Sequence, residues 1–262
     1  MLYYIDEATE VDFEDARNNP KSPQNYFYKY VPYEKMLKEG SKNSLFFIQP
    51  ELWNDPWESL VLTGKFKIAR GKNLKYPLAE KVLATCFTSN YSSEAQWHIY
   101  EQNEPRIMLS YNKTKLVDAL MQSEGQFFVG KVRYDTAQPQ IIKAIEDLAK
   151  KSISYFEDSP DISQYSIETQ KNLLEPLLIK RMPFGYEQEY RFFMLDDSGT
   201  EKKAVSIPNL SNAIGQVTLS PIESSLSYEE QKEELQKYGF SKICVSSLYK
   251  KKVETQFNLM EK

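Results

Sequence analysis

The sequence predicts an α+β fold, a single domain in which a mixed β-sheet carries peripheral helices. Short apolar or alternating runs typical of strands recur between amphipathic helical segments. Residues 213–245 read as strand, helix and strand, which is a βαβ-like unit. No repeat, low-complexity tract or linker interrupts the chain, so we expect one domain over residues 26–250. Residues 1–25 are predicted to be an irregular N-terminal leader, because they are polar and rich in turn residues, and residues 251–262 a C-terminal tail.

In the first half of the chain, strands are expected where aromatic or apolar residues cluster between turn residues. Pro32 is suited to open a short helix that Gly40 ends. Asn112 is a suitable N-cap, because its side-chain oxygen can accept a hydrogen bond from the first turn of the next helix. The predicted strands are 26–30, 45–48, 83–88 and 106–111, and the helical segments are 33–39, 94–101 and 113–122.

The second half begins with an alternating strand and continues with two amphipathic helices. After the second helix an apolar strand is followed by a turn at residues 196–199, from which we expect the chain to return as a hairpin. The predicted strands are 126–134, 190–195, 204–207, 213–219 and 242–245, and the predicted helices are 139–157, 167–181 and 227–238.

Composition bounds the class of protein. Of the 262 residues, 41% are hydrophobic and 13% aromatic, which is enough for a packed core. The net charge of −4 does not indicate the strongly basic surface of a non-specific nucleic-acid binder, but a local basic patch stays open because 33 lysines and arginines are spread along the chain. Cys86 and Cys244 lie in apolar runs and are expected to be free thiols in a reducing compartment. One histidine and two distant cysteines do not make a zinc site. Residues 1–20 do not resemble a signal peptide, so we expect a cytoplasmic protein with no metal and no membrane contact.

Two carboxylates, Glu187 and Glu189, stand two residues apart where the strand 190–195 begins. Side chains at such positions of a strand point to the same face. Like charges side by side are unfavourable unless a ligand or a cation uses them. Arg191 continues this face, and Lys180 precedes the pair, so that nearby cations would keep the carboxylates ionised. The simpler interpretation is a solvated edge strand with alternating charges.

A second cluster is the loop Trp53-Asn54-Asp55-Pro56-Trp57. Asn and Asp before proline favour turns, because their side chains bond the backbone two residues further on. The loop is therefore either a well-formed turn pinned by two tryptophans or one wall of a pocket whose aromatic side chains receive a flat ligand.

The strand that ends in Cys86-Phe87-Thr88-Ser89 carries hydroxyls that can orient a ribose or a phosphate, although strand-end capping is an equally ordinary use. The chain contains no glycine-rich phosphate loop, so neither a P-loop nor a Rossmann site is supported. His98 is the only histidine. Its pKa would suit acid–base catalysis. With no nucleophile elbow in the sequence, packing and hydrogen bonding are the favoured roles.

Five pieces of the chain follow one another in a recognisable order. They are Tyr28-Lys29-Tyr30; Leu45-Phe46-Phe47 with Asn54-Asp55-Pro56-Trp57-Glu58; Cys86-Phe87-Thr88; Trp97 with Tyr100; and Lys180 with Tyr186-Glu187-Gln188-Glu189-Tyr190-Arg191. This order resembles the bacterial domain of unknown function 2971 over about residues 26–250. Thr88 replaces the more usual serine of that family, and His98-Ile99 stand where small residues are common.

The same order is similar to ADP-ribosyltransferase-like enzymes, which implies their split β core. In that group a first strand carries a ligand-binding residue, a middle strand ends in serine, threonine or an aromatic, and a late strand bears the catalytic glutamate. The resemblance implies that Glu189 holds the nicotinamide-ribose hydroxyl of NAD and stabilises an oxocarbenium-like transition state. It implies that Glu187 orients or activates the acceptor. The first-strand position, Arg or His in the group, is Tyr or Lys here.

The resemblance also implies the residues that bind NAD. One strand would line the adenosine or pyrophosphate side, strand-end hydroxyls would support the nicotinamide ribose, and aromatic rings would stack on the ligand. In that order these residues are Tyr28, Lys29 and Tyr30; Thr88 and Ser89; and Trp97 and Tyr100. Asn54, Asp55 and Arg191 complete the expected pocket.

The resemblance implies an ADP-ribosyltransferase-like enzyme that cleaves NAD and modifies a macromolecular acceptor, or hydrolyses NAD. It also implies that the protein is a bacterial toxin or phage-defence effector with a neutralising antitoxin or chaperone partner. The acidic charge favours a protein or small-molecule acceptor over duplex nucleic acid, and single strands read by stacking stay open. One alternative is a non-enzymatic nucleotide- or protein-binding module. Another is a metal-dependent nuclease that uses Asp55, Glu58, Glu187 and Glu189. A glycosidase fits less well, because adjacent strand positions reach only the lower end of the ~5–9 Å carboxylate separation.

Overall fold

The described residues form an α+β fold with one ten-stranded mixed sheet and two further strand pairs. This computed structural model describes residues 1–19, 22–38, 40–67, 73–91, 93–100, 105–135, 138–151, 161–222 and 226–249. Of the helices in these ranges, none is both long and apolar enough to cross a bilayer. The predicted tail, 251–262, lies outside the described residues.

The main sheet has the strand order β1-β8-β11-β6-β2-β7-β13-β14, and β3 and β12 join it beside β6. The separate pairs are β4 with β5 and β9 with β10. The strands are β1 Leu2–Tyr4, β2 Tyr26–Pro32, β3 Ser44–Ile48, β4 Phe66–Lys67, β5 Asn73–Leu74, β6 Val82–Thr88, β7 Arg106–Asn112, β8 Phe127–Lys131, β9 Arg133–Asp135, β10 Ile179–Arg181, β11 Glu189–Leu195, β12 Lys202–Ser206, β13 Ile214–Leu219 and β14 Ile243–Val245.

The sheet opens between β6 and β2. In the described structure one residue pair, Tyr28 with Thr88, joins these two strands. On one side of this bridge β6 pairs with β11 from Glu189 to Leu195. On the other side β2 pairs with β7 along its whole length. The two halves of the sheet therefore part from the Tyr28–Thr88 bridge and leave room for a cavity.

Helices cover both faces of the β8-β11-β6 half. Alternate side chains of β11 explain this, because Tyr190 and Phe192 join one buried cluster with Phe13, whereas Phe193 joins a second cluster with Leu174. The helices are α1 Glu7–Asn18, α2 Tyr33–Met36, α3 Leu60–Thr63, α4 Glu94–Tyr100, α5 Lys113–Gln122, α6 Gln138–Lys151, α7 Ile167–Leu174 and α8 Tyr228–Lys237.

The predicted irregular leader is wrong for most of residues 1–25. The Asp6 side chain caps α1 by accepting from the Thr9 amide at 2.7 Å, and Thr9, Phe13 and Ala16 bury one face of the helix. The strand β1 pairs with β8 in the main sheet. Three small or apolar buried positions in a polar helix are a weak periodic signal, which is why the sequence reads as irregular.

The helix predicted over 167–181 ends at Leu174. Pro176 follows within a 3₁₀ turn, Glu175–Leu178, where the missing amide hydrogen no longer matters. Gly130 of β8 allows this turn to pack closely, because a Cβ there would lie 2.3 Å from a methyl carbon of Leu178. The chain then forms β10, which carries Lys180 to the sheet.

Two strand predictions also change. The segment 126–134 forms two strands, β8 and β9, which part at Val132. The strand near 204–207 does not return on β11 as a hairpin. It is β12, and it pairs with β3 instead, so that β12 extends the sheet at a distant edge.

Several local predictions are confirmed. Asn112 caps α5 by accepting from the Lys115 amide at 3.0 Å. The helix predicted over 227–238 is α8, and Ser227 and Glu230 form a capping box at its start. β13 and β14 are parallel and joined through α8, which is the predicted βαβ unit. The helix predicted over 139–157 is described as far as Lys151, and residues 152–160 lie outside the described ranges.

Candidate active site

A cavity of about 480 Å³ lies where the two halves of the sheet part. Its size is within the range of small-molecule sites. One wall is aromatic and the other carries charged side chains. The aromatic wall consists of Tyr28, Tyr30, Trp53, Phe87 and Phe184, and the charged side chains are Lys29, Asp55, Glu58, Lys180, Glu187 and Glu189.

Five segments that are far apart in the sequence meet in this cavity. They come from β2, from the end of β3 and the loop after it, from the end of β6, from α4, and from the chain between Lys180 of β10 and Glu189 of β11. Eight of the residues predicted to form the site line it: Tyr28, Lys29, Tyr30, Asn54, Asp55, Thr88, Glu187 and Glu189. The two carboxylates therefore share one cavity with the Asn54-Asp55 loop and Thr88. The catalytic and NAD-binding roles of these residues stay predictions.

Tyr28, Thr88 and Glu189 stand in one row across three neighbouring strands. Tyr28 pairs with Thr88 between β2 and β6, and Thr88 pairs with Glu189 between β6 and β11. Directly paired residues point to the same face of a sheet. The row therefore brings an aromatic hydroxyl, an aliphatic hydroxyl and a carboxylate to the cavity at the point where the sheet opens.

The Glu189 carboxylate is held on all sides. Arg191 donates to it from Nε and Nη2, both at 3.1 Å, and Lys180 Nζ lies 3.4 Å from Oε2. The Cys86 thiol donates to it as well. Burial alone would raise the pKa of Glu189, but Arg191 and Lys180 outweigh this effect and lower the pKa to about 2. Glu189 is therefore an anion at any physiological pH.

Lys180 lies at the centre of three carboxylates. Its Nζ is 2.9 Å from Glu58 Oε1 and 3.4 Å from Glu189 Oε2, and it donates a short hydrogen bond to Glu187. Burial disfavours the ammonium, yet the carboxylates of Glu189, Glu58 and Glu187 hold its pKa above the ordinary value. The lysine is a fixed positive charge inside the cavity wall.

The sequence predicts that Glu187 and Glu189 lie side by side on one strand, but Glu187 does not lie on a strand. It ends the 3₁₀ turn Met182–Glu187, and Gln188 follows in the left-handed region with φ 44°. The carboxylates converge because both contact Lys180. Burial raises the pKa of Glu187 more than Lys180 lowers it. The pKa of Glu187 is therefore above its ordinary value, whereas that of Glu189 is below it.

Arg191 is fully buried and does not line the cavity. Besides Glu189, it donates to the carbonyl oxygen of Leu177 at 2.5 Å and, by a short bond, to Glu58. The ring of Trp53 covers its guanidinium at 4.4 Å. The structure therefore places Arg191 behind the two carboxylates that it contacts, Glu189 and Glu58, and its contact with a ligand stays a prediction.

The Asn54-Asp55 loop is the predicted turn and a cavity wall at once. The Trp57 amide donates to Asp55 Oδ1 at 3.1 Å, which is the expected Asx turn. Asp55 Oδ2 also pairs with Arg181 Nη2 at 2.9 Å. The turn thus ties the loop to β10 and sets Glu58 against the charge cluster.

Thr88 and Ser89 diverge. The Thr88 hydroxyl donates to the carbonyl oxygen of Glu187 and accepts from the Asn90 amide at 2.9 Å. The Ser89 hydroxyl donates to the carbonyl oxygen of Gln188 at 3.1 Å. Ser89 does not line the first cavity but lines a second one, and its contact with the nicotinamide ribose stays a prediction.

Trp97 is buried and packs edge-on against Tyr30, with ring centroids 4.7 Å apart. It does not line the cavity, and its stacking on a ligand stays a prediction. Gln96 and Ile99 of the same helix line it instead. The side chain of Tyr100 lies outside the described part of the structure. His98 is largely exposed, lies 4.0 Å from Glu94 Oε1 and contacts the Tyr249 hydroxyl at 3.0 Å, and it does not line the cavity.

The sequence prediction missed two charged residues of the cluster as site residues, Glu58 and Lys180. Both belong to the motif pieces, Glu58 at the end of the Asn54 loop and Lys180 ahead of Tyr186. A signal was therefore present. Both side chains are nearly buried, and charged side chains are rarely buried unless they are paired, as these two are with each other. Phe184, also missed, packs its ring 4.9 Å from Lys180 Nζ.

In the described part of the chain, no group of three or more His, Cys, Asp or Glu side chains is arranged to hold a metal ion. The carboxylates that a nuclease would use are engaged with cations of the protein. Glu58, Glu187 and Glu189 contact Lys180, and Asp55 contacts Arg181.

Lys29 reaches from β2 into the gap between the sheet halves. Its Nζ donates to Thr85 Oγ1 at 2.8 Å and to the carbonyl oxygen of Cys86 at 2.7 Å, and it lies 4.8 Å from the centre of the Phe87 ring. Burial lowers the pKa of Lys29 to about 8. This ammonium bridges the split and carries a positive charge on the cavity side.

We expect pH to reveal this lysine. Between pH 8 and 10.5 the folded lysine is mostly neutral, whereas the unfolded one is still protonated. The unfolded state then binds more protons, so stability gains from rising pH. The free energy of unfolding of the wild type minus that of Lys29→Met should therefore rise across this window in urea titrations. A difference that stays flat or falls would contradict the assignment.

No family model and no curated protein matches the sequence, so the resemblance to domain of unknown function 2971 stays a prediction. Two solved structures of DarT from Thermus sp. 2.9 are similar over most of both chains. The complex with NAD+ is 12% identical, covers 85% of this chain and 96% of the DarT chain, and has a TM-score of 0.36. The complex with ADP-ribosylated ssDNA is 11% identical, covers 86% and 95%, and has a TM-score of 0.38. At these values the likeness is distant and does not bear on the function.

Proposed function

We propose that this protein is an ADP-ribosyltransferase-like enzyme. It binds NAD in the 480 Å³ cavity, breaks the bond between nicotinamide and ribose, and transfers ADP-ribose to a macromolecular acceptor, a nucleic acid or a protein. The observation that carries the proposal is the row Tyr28, Thr88 and Glu189 at the opening of the sheet, which ends in a carboxylate that buried cations keep ionised.

The chemistry needs a fixed negative charge. As the ribose C1′–nitrogen bond breaks, its electron pair leaves with nicotinamide, and positive charge develops on the ribose ring. A preorganised carboxylate near that ring stabilises the transition state without having to reorient. Glu189 fits this role, because its pKa of about 2 keeps it ionised and Arg191 fixes its orientation.

The acceptor step needs a base. When an acceptor nucleophile attacks C1′, it must lose a proton, and a carboxylate with a raised pKa is better matched to that transfer. Glu187 lines the cavity, and its pKa is raised by burial. We assign the proton to Glu187, while Glu189 remains an anion throughout.

The rest of the cavity offers contacts for the other parts of NAD. The rings of Tyr28, Tyr30 and Trp53 provide flat apolar walls for a base. Lys29 supplies positive charge suited to a diphosphate. We further propose that the protein is a toxin or phage-defence effector and that a partner protein neutralises it, as the family resemblance implies.

A direct assay tests the proposal. The purified chain is incubated with NAD, and nicotinamide release is followed by chromatography, with and without a chelator of divalent cations. We expect release that the chelator does not change, because Lys180 and Arg191 supply the positive charges of the cluster. Absence of nicotinamide release from folded protein would overturn the proposal. Release that is lost on chelation would favour a metal-dependent reaction.

A second function, a nucleotide-binding module without catalysis, is favoured by one observation. Glu189 already accepts hydrogen bonds from Arg191, Lys180 and Cys86, and the residue is 6% exposed. Arg191 donates twice, so these residues fill the roughly four acceptor positions of a carboxylate. A ribose hydroxyl must therefore displace one of these donors. Calorimetry that detects NAD binding without nicotinamide release would support this function over the enzyme.

A further inference from the structure

A second cavity of about 540 Å³ adjoins the first one. Tyr28 lines both cavities. At the end of β6 the two consecutive residues separate, because Thr88 lines the first cavity and Ser89 the second. A ligand in the second cavity therefore lies next to the proposed NAD site, with the Tyr28 ring between them.

The second cavity continues along β13 into a smaller one of about 180 Å³. Gly215, Gln216 and Lys242 line both of these cavities. Together they form one surface, which we call the tyrosine groove, bounded by Tyr91 and Tyr26 at one end and by Lys42 at the other.

The floor of the groove is built around a β-bulge. The register between β13 and β7 shifts between Ile214 and Gln216, with Gly215 at the shift. A Cβ at Gly215 would lie 3.2 Å from Cε1 of Tyr26, tighter than almost all such contacts. Glycine thus allows the Tyr26 ring to lie against the strand and face the groove.

The rings and charges of the groove differ from those of the first cavity. Tyr91 is 53% exposed and lies 5.2 Å from Tyr28, ring to ring. Among the described residues that line the groove there is no Asp or Glu, although the chain has a net charge of −4. Lys242 is exposed, and Lys42 Nζ donates to the carbonyl oxygen of Tyr238 at 2.9 Å. The groove therefore combines exposed aromatic faces with positive charge alone.

We infer that the tyrosine groove binds a segment of single-stranded nucleic acid. Unpaired bases stack on Tyr91 and Tyr26, and a phosphate lies at Lys242. Stacking rings alongside basic side chains are the combination that single-strand binders use. The role of this segment as the acceptor rests on the proposed function, but its binding does not.

The chemistry of the groove favours a single strand over two other anionic partners. A duplex keeps its bases stacked on each other, so it offers no free base faces to Tyr91 and Tyr26. An acidic peptide would use Lys242 and Lys42 but gain little from the rings. Of these three partners, only a single strand can contact both the tyrosine rings at the end next to Tyr28 and the lysines of the groove.

Fluorescence anisotropy tests the inference with the full chain and no NAD. The probe is a labelled single-stranded DNA of about 12 nucleotides and mixed sequence, within known single-strand site sizes. We expect Tyr91→Ala and Lys242→Glu each to weaken binding by about tenfold. For Lys242→Glu the salt slope should also fall by ~0.7, the loss of one phosphate contact.

Matched controls lie outside the groove. Tyr249 is 50% exposed, close to Tyr91, and Lys202 is exposed on β12. Tyr249→Ala and Lys202→Glu should leave the affinity unchanged. The inference is overturned by wild type that does not bind, by controls that weaken binding as much as the groove variants, by equally tight binding of the matching duplex, or by equal competition from polyglutamate.

Failure of this inference and failure of the proposed function are distinguishable. Nicotinamide release without DNA binding would remove the groove and leave the NAD site. DNA binding without release would leave the groove and remove the enzyme.

Discussion

Replacing Glu189 by glutamine is expected to slow nicotinamide release by about 100- to 1,000-fold, which is typical when one preorganised electrostatic contact to a transition state is lost. Glutamine keeps the size of the side chain but not its charge. The lost charge faces the ribose, because Glu189 ends the row with Thr88 and Tyr28 at the opening of the sheet. The loss should appear in kcat rather than in KM, since the contact strengthens as positive charge develops.

Glu187→Gln is the matched control. It removes the same charge from the same cavity, and the wild-type carboxylate contacts the same Lys180 ammonium. Because we assign Glu187 to the acceptor step, this variant should slow transfer of ADP-ribose more than release of nicotinamide. Thermal melts of both variants separate loss of activity from loss of folding. Wild-type release by a folded Glu189→Gln enzyme, or equal loss of release in both variants, would refute the assignment of roles.

Local structure was predictable wherever a few neighbouring side chains decide it. The Asn112 cap and the Asx turn at Asp55 depend on one side chain and the adjacent backbone, and both form as predicted. The leader shows the limit of this reasoning. Its helix carries a readable cap at Asp6, but its buried stripe is short, and burial against α5 and β8 stabilises it.

The site was predictable in its membership and not in its side-chain directions. Motif order brought the Asn54 loop, Thr88 and Glu189 together as a hypothesis, and the register of β6 and β11 explains why two of them meet. Trp97 and Arg191 do not line the cavity. Each side chain turns to a partner that is remote in the sequence, Tyr30 for the indole and Glu58 for the guanidinium, which spacing along the chain does not reveal.

The sequence predicts cations near Glu187 and Glu189, but not that Glu58 joins them, because that depends on how the chain folds and how far each group is buried. Lys180 and Glu58 come from segments more than a hundred residues apart, and they approach to 2.9 Å only because β10 lies where the Asn54 loop folds back. Burial raises the pKa of both Glu187 and Glu189, but at Glu189 the cations Arg191 and Lys180 outweigh it, and spacing alone cannot distinguish these two outcomes.

Arg191→Met is expected to destabilise the fold by about 3–5 kcal/mol, the usual cost when one partner of a buried charge pair is removed. Methionine fills much of the same volume but donates no hydrogen bond. The Glu189 and Glu58 carboxylates then lose the guanidinium, and the carbonyl oxygen of Leu177 loses its donor. Urea unfolding monitored by circular dichroism measures this loss directly.

Two controls make that result specific. Arg181→Met removes a guanidinium from an ion pair of 2.9 Å with Asp55, but its side chain is 30% exposed, so it should cost about 1 kcal/mol or less. The second control is pH. The pKa of Glu189 is about 2 when folded against an ordinary 4.5, so the stability that Arg191 supports through it is complete above about pH 5 and is lost as the pH falls towards 2. The deficit of Arg191→Met should shrink over that range. Equal costs for the two arginine variants, or a deficit that does not change with pH, would show that packing rather than charge holds Arg191 in place.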